Sequence, residues 1–361
     1  MILMISAVFF VFIEGVSSVI ISAHQLLWDS DAPELSQYDP TLGWTGVPNA
    51  FVPNHYGPDK YLRTNSRGFR NDDELDTQTP DGHVLIACSG DSFTYGQGVA
   101  NNYSWCNYLT RLDPRLITAN LAMPGYGVDQ MLLRYERDAA SLDHSVHIFA
   151  FIAADLRRMG SRQYHQYGRP TLSINEGTIV VENVPVPYLK WVLSRAISRA
   201  EFRVAGLAKR ILNKLTPARD INPAPLEQVG PVALKLFQTV EQTDKEKNIV
   251  PVFVFLPTQR ELRNDSEHYL WVVETMRRHR LPFIDLTPAI RELSASEVAL
   301  FFIAPGARAE GHYTEAGNQW VATQVYARIA QLEGIKTLLP DISTGAVSSD
   351  SLPVANTGRP D

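Results

Sequence analysis

The chain has 361 residues, with 33 basic and 39 acidic side chains and a formal net charge of −6. That length accommodates one large α/β domain or two small ones around a substantial core, and the acidic balance argues against a nucleic-acid binder with a basic face. Two cysteines, Cys88 and Cys106, exclude a disulfide scaffold and leave a bridge between them open.

In chain order, residues 1–23 are almost wholly apolar, broken by Glu14 and a few serines. The stretch is about long enough to cross a bilayer as a helix, lacks a basic leader and shows no Ala-x-Ala cleavage site. We therefore expect an uncleaved transmembrane signal anchor over 1–28, which makes the membrane a partner. Residues 29–80 are rich in turn formers and hold several aromatics, and they read as an irregular arm lying on the domain.

From Gly82 onward, short β-branched runs alternate with longer amphipathic segments. Strands are expected at Val84–Cys88, Leu116–Leu121, His147–Ile152, Val250–Leu256 and Pro282–Leu286. Helices are expected at Ser104–Leu112, Val128–Ala140, Val232–Lys247, Glu267–Arg280 and Thr314–Leu332. This alternation implies a three-layer α/β/α domain over 81–337, with a five-stranded, mainly parallel sheet. An insertion over 157–231 reads as a hairpin turning at Asn175-Glu176-Gly177, followed by a basic helix from Val192 to Leu215. Its aromatics Tyr164, Tyr167, Tyr188 and Trp191 suit either stacking on sugars or a private core. Residues 338–361 have the composition of a disordered tail.

The chemistry-bearing residues stand where strands end. Val84 to Cys88 breaks into Gly90-Asp91-Ser92, which sets a serine hydroxyl at the carboxyl end of a sheet. The next strand runs into Asn120-Leu121-Ala122-Met123-Pro124-Gly125, a turn whose N–H groups face the same edge. Before the last helix stands Glu310-Gly311-His312, where His312 is the candidate base for Ser92 and Glu310 its orienter. Asp91 and Asp155 are read as carboxylates that brace their loops. His144 and His147 are read as solvated residues at a strand entry. No His-Glu-x-x-His or paired Cys-x-x-Cys is present, so neither metal nor cofactor is expected.

These blocks resemble the SGNH (GDSL-type) hydrolases from about Asp39 to Ala330. Gly90-Asp91-Ser92 resembles the first block, with the nucleophile. Asn120 followed by Gly125 resembles the second, whose glycine N–H joins that of the serine in the oxyanion hole. Glu310-Gly311-His312 with Gly317 resembles the last. The arm Arg63-Thr64-Asn65-Ser66-Arg67-Gly68-Phe69-Arg70 and the Gly96-Gln97-Gly98-Val99 continuation resemble the bacterial envelope branch. The resemblance implies a flavodoxin-like fold and a serine esterase of the cell envelope, its domain outside the cytoplasm, acting on acyl (acetyl) esters of a carbohydrate or lipid. An O-acyltransferase, or a non-catalytic binding or assembly protein, is the alternative. Two departures stand out: Ala154 occupies the place of the third block's oxyanion asparagine, and Glu310 replaces the usual aspartate, with Ala309 three before the histidine.

Overall fold

The structure is a computed structural model that describes residues 2–27, 35–164, 167–188 and 225–339. Its centre is a sheet of β1 (Val84–Ser89), β2 (Leu116–Asn120), β3 (Val146–Phe151), β4 (Val250–Phe255) and β5 (Phe283–Asp285), in the order β5-β4-β3-β1-β2. All four strand pairs are parallel. The chain leaves β1 toward β2 on one side and returns to β3 on the other, which opens a switch point between the carboxyl ends of β1 and β3.

Strand alternation sorts the core into two faces. Phe149, Phe151, Phe253 and Phe255 pack with Leu236 and Phe237 on one side. Ile148, Ala150, Val252 and Val254 pack with Val321 and Val325 on the other. The first face is covered by α3 (Val128–Asp138), α5 (Leu226–Glu246) and α6 (Glu267–Arg278), and the second by α2 (Trp105–Leu112) and α7 (Glu315–Ile329). Short helices α1 (Ser92–Tyr95) and α4 (Ala153–Arg158) follow β1 and β3 directly. Cys88 on β1 and Cys106 on α2 share the second face, where they form a disulfide.

The arm contributes the antiparallel pair Ser36–Asp39 and Gly43–Gly46, then turns through Asn65. The Asn65 carboxamide oxygen accepts from the N–H groups of Arg67 and Phe69. Beyond this turn, Arg70 N–H donates to Asn120 O at 3.1 Å, and the Asn71 side chain bonds Asn120 N and Thr118 O, so the arm is stitched to the end of edge strand β2. The insertion's hairpin pairs Thr171–Asn175 with Thr178–Glu182 and turns at Glu176-Gly177, both in the left-handed region.

Three expectations need correction. Among the described residues no helix is long and apolar enough to cross a membrane. This overturns the transmembrane and signal anchor expected over 1–28: the helix Ile2–Leu27 carries Glu14 at its middle, with Gly15, Ser17 and Ser18 beside it, and these break the apolar run. Helix α5 starts at Leu226, running through Pro231 rather than after it, because Val229 is buried and Gly230 lies against the Trp271 ring. His144 and His147 are buried, not solvated. The helix expected over Val192–Leu215 and the tail from residue 340 lie outside the described residues.

Candidate active site

Gly90 and Asp91 carry the chain from β1 into α1, and Asp91 caps that helix by accepting the Phe93 N–H at 2.9 Å. Ser92 is therefore the first residue of a helix, where backbone N–H groups lack internal acceptors. Helix α1 ends after one turn at Gly96, whose φ of +77° lies in the left-handed region that glycine tolerates best. Arg70, wholly buried, clamps the loop that follows: its guanidinium donates to the carbonyls of Tyr95, Gly96 (2.6 Å) and Val99 (2.5 Å) and to Asn101 Oδ1 (3.0 Å). Nothing in the local pattern of the arm marks Arg70 for this task.

The second loop lies against the first. Met123 N–H donates to Gly90 O at 3.1 Å and Leu121 N–H to Cys88 O at 3.0 Å. The Asn120 side chain donates to Thr94 O and accepts from Ala122 N, so it ties the two loops together. Gly125 has φ +83°, and a Cβ there would meet the Tyr164 ring at 2.5 Å. Among the described residues neither the Ser92 nor the Gly125 N–H donates to another backbone group.

His312 arrives from the opposite side, on a loop held to Ile303 by two backbone bonds of 2.8 and 3.0 Å. Its Nε2 lies 2.8 Å from Ser92 Oγ. Its Nδ1 faces the Ala309 carbonyl at 3.1 Å. A carbonyl only accepts, so Nδ1 carries the proton and the Nε2 lone pair is left for the serine hydroxyl. The third member of the array is thus a backbone carbonyl. Glu310, expected as orienter, instead accepts the Gly306 N–H at 2.8 Å and faces solvent. The loop geometry explains this: Ala309 adopts φ +65° and turns its own carbonyl toward the ring. Accordingly, Glu310→Gln should leave kcat/KM for an activated ester within about threefold of wild type. A larger loss in a rate assay would mean that Glu310 reaches the imidazole in solution.

Under the site lies a buried charged cluster. Arg158 on α4 pairs with Asp155, lies 3.4 Å from Asp91 Oδ2, and donates to Tyr126 O at 2.9 Å. Asp155 also accepts the Ile152 N–H at 2.9 Å and so caps α4. Burial, and then the neighbouring Asp91 charge, push the Asp155 carboxyl well above the ordinary range. The brace expected of Asp91 and Asp155 is thus one unit with Arg158, a residue not singled out from sequence. Ala154 is half-buried on the same turn. Its methyl group packs against the cluster containing Phe93 and Tyr313, and it offers no donor.

Burial lowers the His312 imidazole below its ordinary 6.5, while the Asp91 charge and the Ala309 and Glu310 carbonyls oppose the shift. A base must be neutral to act, so the acid limb of kcat/KM should fall below pH 6.5. Asp91→Asn keeps a cap acceptor but removes the opposing charge, and should move that limb further toward acid. A pH–rate profile in which the variant's limb stays put would show that Asp91 does not act on the imidazole.

A second serine–histidine–aspartate array sits deeper. Ser89 Oγ lies 2.9 Å from His147 Nε2, and His147 Nδ1 lies 2.8 Å from Asp244 Oδ2. Tyr135 stacks on the His147 ring and donates to Asp244 Oδ1 at 2.7 Å. His147 and Asp244 have no exposed surface, and Ser89 has 2%. This array closes a buried polar network rather than a site that substrate can enter.

No protein-family model and no curated protein matches the chain. Solved structures similar to it include a member of the lipolytic protein G-D-S-L family from Veillonella parvula, 14% identical over 69% of this chain and 100% of that one, with a TM-score of 0.37. A lipase/acylhydrolase from Enterococcus faecalis is 13% identical over 68% and 95% of the two chains, with a TM-score of 0.38. An acetyl xylan esterase is 11% identical over 68% and 100%, with a TM-score of 0.39. On its sheet order, and on the meeting of the Gly90, Asn120 and Glu310 blocks at one sheet edge, the chain has the SGNH (GDSL-type) hydrolase fold.

Proposed function

We propose that the protein is a serine esterase of SGNH type that removes acyl groups, acetyl foremost, from a carbohydrate or lipid. The observation that carries this reading is the 2.8 Å contact between Ser92 Oγ and His312 Nε2, with the histidine tautomer set by the Ala309 carbonyl. Ser92 Oγ attacks the ester carbonyl as its proton passes to Nε2, and the Ser92 and Gly125 N–H groups receive the developing oxyanion. The C–O bond to the alcohol then breaks, and the alcohol leaves with the proton from His312. Water, or a sugar hydroxyl in the transferase variant of the same chemistry, attacks the acyl-serine and regenerates the hydroxyl.

The setting we propose is an oxidising compartment of a bacterial envelope. The buried Cys88–Cys106 disulfide supports it, since such bonds persist where thiols are not kept reduced. The test of the activity is labelling by a fluorophosphonate probe together with acetate release from p-nitrophenyl acetate. A folded chain that does neither would overturn the reading.

A further inference from the structure

In the esterase reading the oxyanion is received by two backbone N–H groups, those of Ser92 and Gly125, since Ala154 offers no side-chain donor. The first is fixed by helix α1, whose opening turn contains it. The second lies in a turn outside any helix or strand, on a glycine with φ +83°. Glycine is the residue least able to hold its own backbone conformation. The direction of this N–H therefore depends on what packs around it.

Three neighbours from three parts of the chain do so. Trp44, on the arm strand Gly43–Gly46, donates its indole N–H to Pro124 O at 3.1 Å. Pro124 O and Gly125 N–H belong to one peptide unit, which is planar and trans. The carbonyl and the N–H point in opposite directions, so a bond that fixes one fixes the other. Among the described residues no backbone N–H donates to Pro124 O, and the indole supplies the anchor. The Tyr164 ring, from the insertion, lies against Gly125 Cα, and Arg158 donates to the next carbonyl, Tyr126 O, while lying 5.3 Å from the Tyr164 ring centre.

Trp44 is itself held on all sides. It is 4% exposed, and its own carbonyl accepts the Tyr126 hydroxyl at 2.6 Å. Its ring stacks on Tyr164 with centres 6.0 Å and planes 21° apart, and it meets Tyr126 edge-on at 5.5 Å. So enclosed, the indole is a fixed strut and not a platform for a ligand.

We propose that Trp44 is a positioning residue for the reaction: through Pro124 O it aims the Gly125 N–H at the oxyanion. The arm then completes the site instead of merely covering the domain. The proposal rests on the esterase reading for the oxyanion, whereas the hold of Trp44 on the Gly125 peptide stands on the geometry alone.

The test removes the N–H and keeps the shape. In the full chain, 3-benzothienylalanine at position 44 puts sulfur where the indole N–H stood. It should lower kcat and kcat/KM on p-nitrophenyl acetate by the same factor, about tenfold, with KM and the melting temperature unchanged. That is less than the about 10²- to 10³-fold for deleting a donor, because the peptide is loosened but still present. Magnetic resonance of the chain labelled with ¹⁵N-glycine reads the peptide itself. The Gly125 amide order parameter should fall from about 0.85 to below about 0.6, with the Gly46 and Gly68 amides unchanged. Trp44→Phe, which keeps one ring and no donor, is the second variant and should show the same pair of changes. A folded variant with wild-type kcat, or one that loses activity while its Gly125 amide stays rigid, would overturn the proposal. If wild type itself hydrolyses no ester, the esterase reading falls, and the Gly125 amide alone decides whether Trp44 holds that peptide.

Discussion

Ser92→Ala and His312→Ala should each abolish fluorophosphonate labelling and lower ester hydrolysis by about 10⁴- to 10⁶-fold. The two side chains act as one unit across a 2.8 Å contact, so the double variant should be little worse than either single one. Neither change should unfold the chain, since Ser92 is a small side chain at a helix start and the His312 loop keeps its backbone bonds to Ile303. Labelling that survives in Ser92→Ala with an unchanged circular dichroism spectrum would remove Ser92 as the nucleophile.

Ala154→Asn should raise kcat on p-nitrophenyl acetate. A side-chain donor at an oxyanion is worth about 2.7–4 kcal/mol, or about 10²- to 10³-fold. The turn that carries Ala154 is already rigid, because Asp155 caps Ile152 and Arg158 pins Asp155. The position is only half-buried, so a carboxamide there gives up a small apolar contact. A folded Ala154→Asn variant with wild-type kcat would show that position 154 does not face the oxyanion.

The sheet was legible because its signal is local. Each of the five strands lies within one or two residues of the expected run, since buried β-branched and aromatic stretches between glycine turns permit little else. Ser92, Asn120, Gly125 and His312 were legible for a related reason, as each closes or follows an element whose end could be located. What failed to show was orientation. Glu310 is two residues from the ring it was expected to hold, but the left-handed turn at Ala309 hands that task to a carbonyl, and no side-chain pattern reports a carbonyl. Arg70 and Arg158 were missed because their partners are main-chain atoms or residues distant in sequence. His147 was misread for the same reason: its partner Asp244 lies 97 positions away. The sequence alone does not decide the disulfide, because two buried cysteines on one face become neighbours only once α2 is laid on the sheet.

The buried Ser89–His147–Asp244 array bears on how a labelled protein must be mapped. Ser89 and Ser92 are three residues apart, and no lysine or arginine stands between Arg70 and Arg111. Trypsin therefore releases both serines, and both cysteines, on the single peptide 71–111. The mass of a modified peptide will be identical whichever serine carries the adduct. Only fragment ions from cleavage at Gly90 or Asp91 distinguish the two, and they should place the adduct on Ser92 in the folded protein.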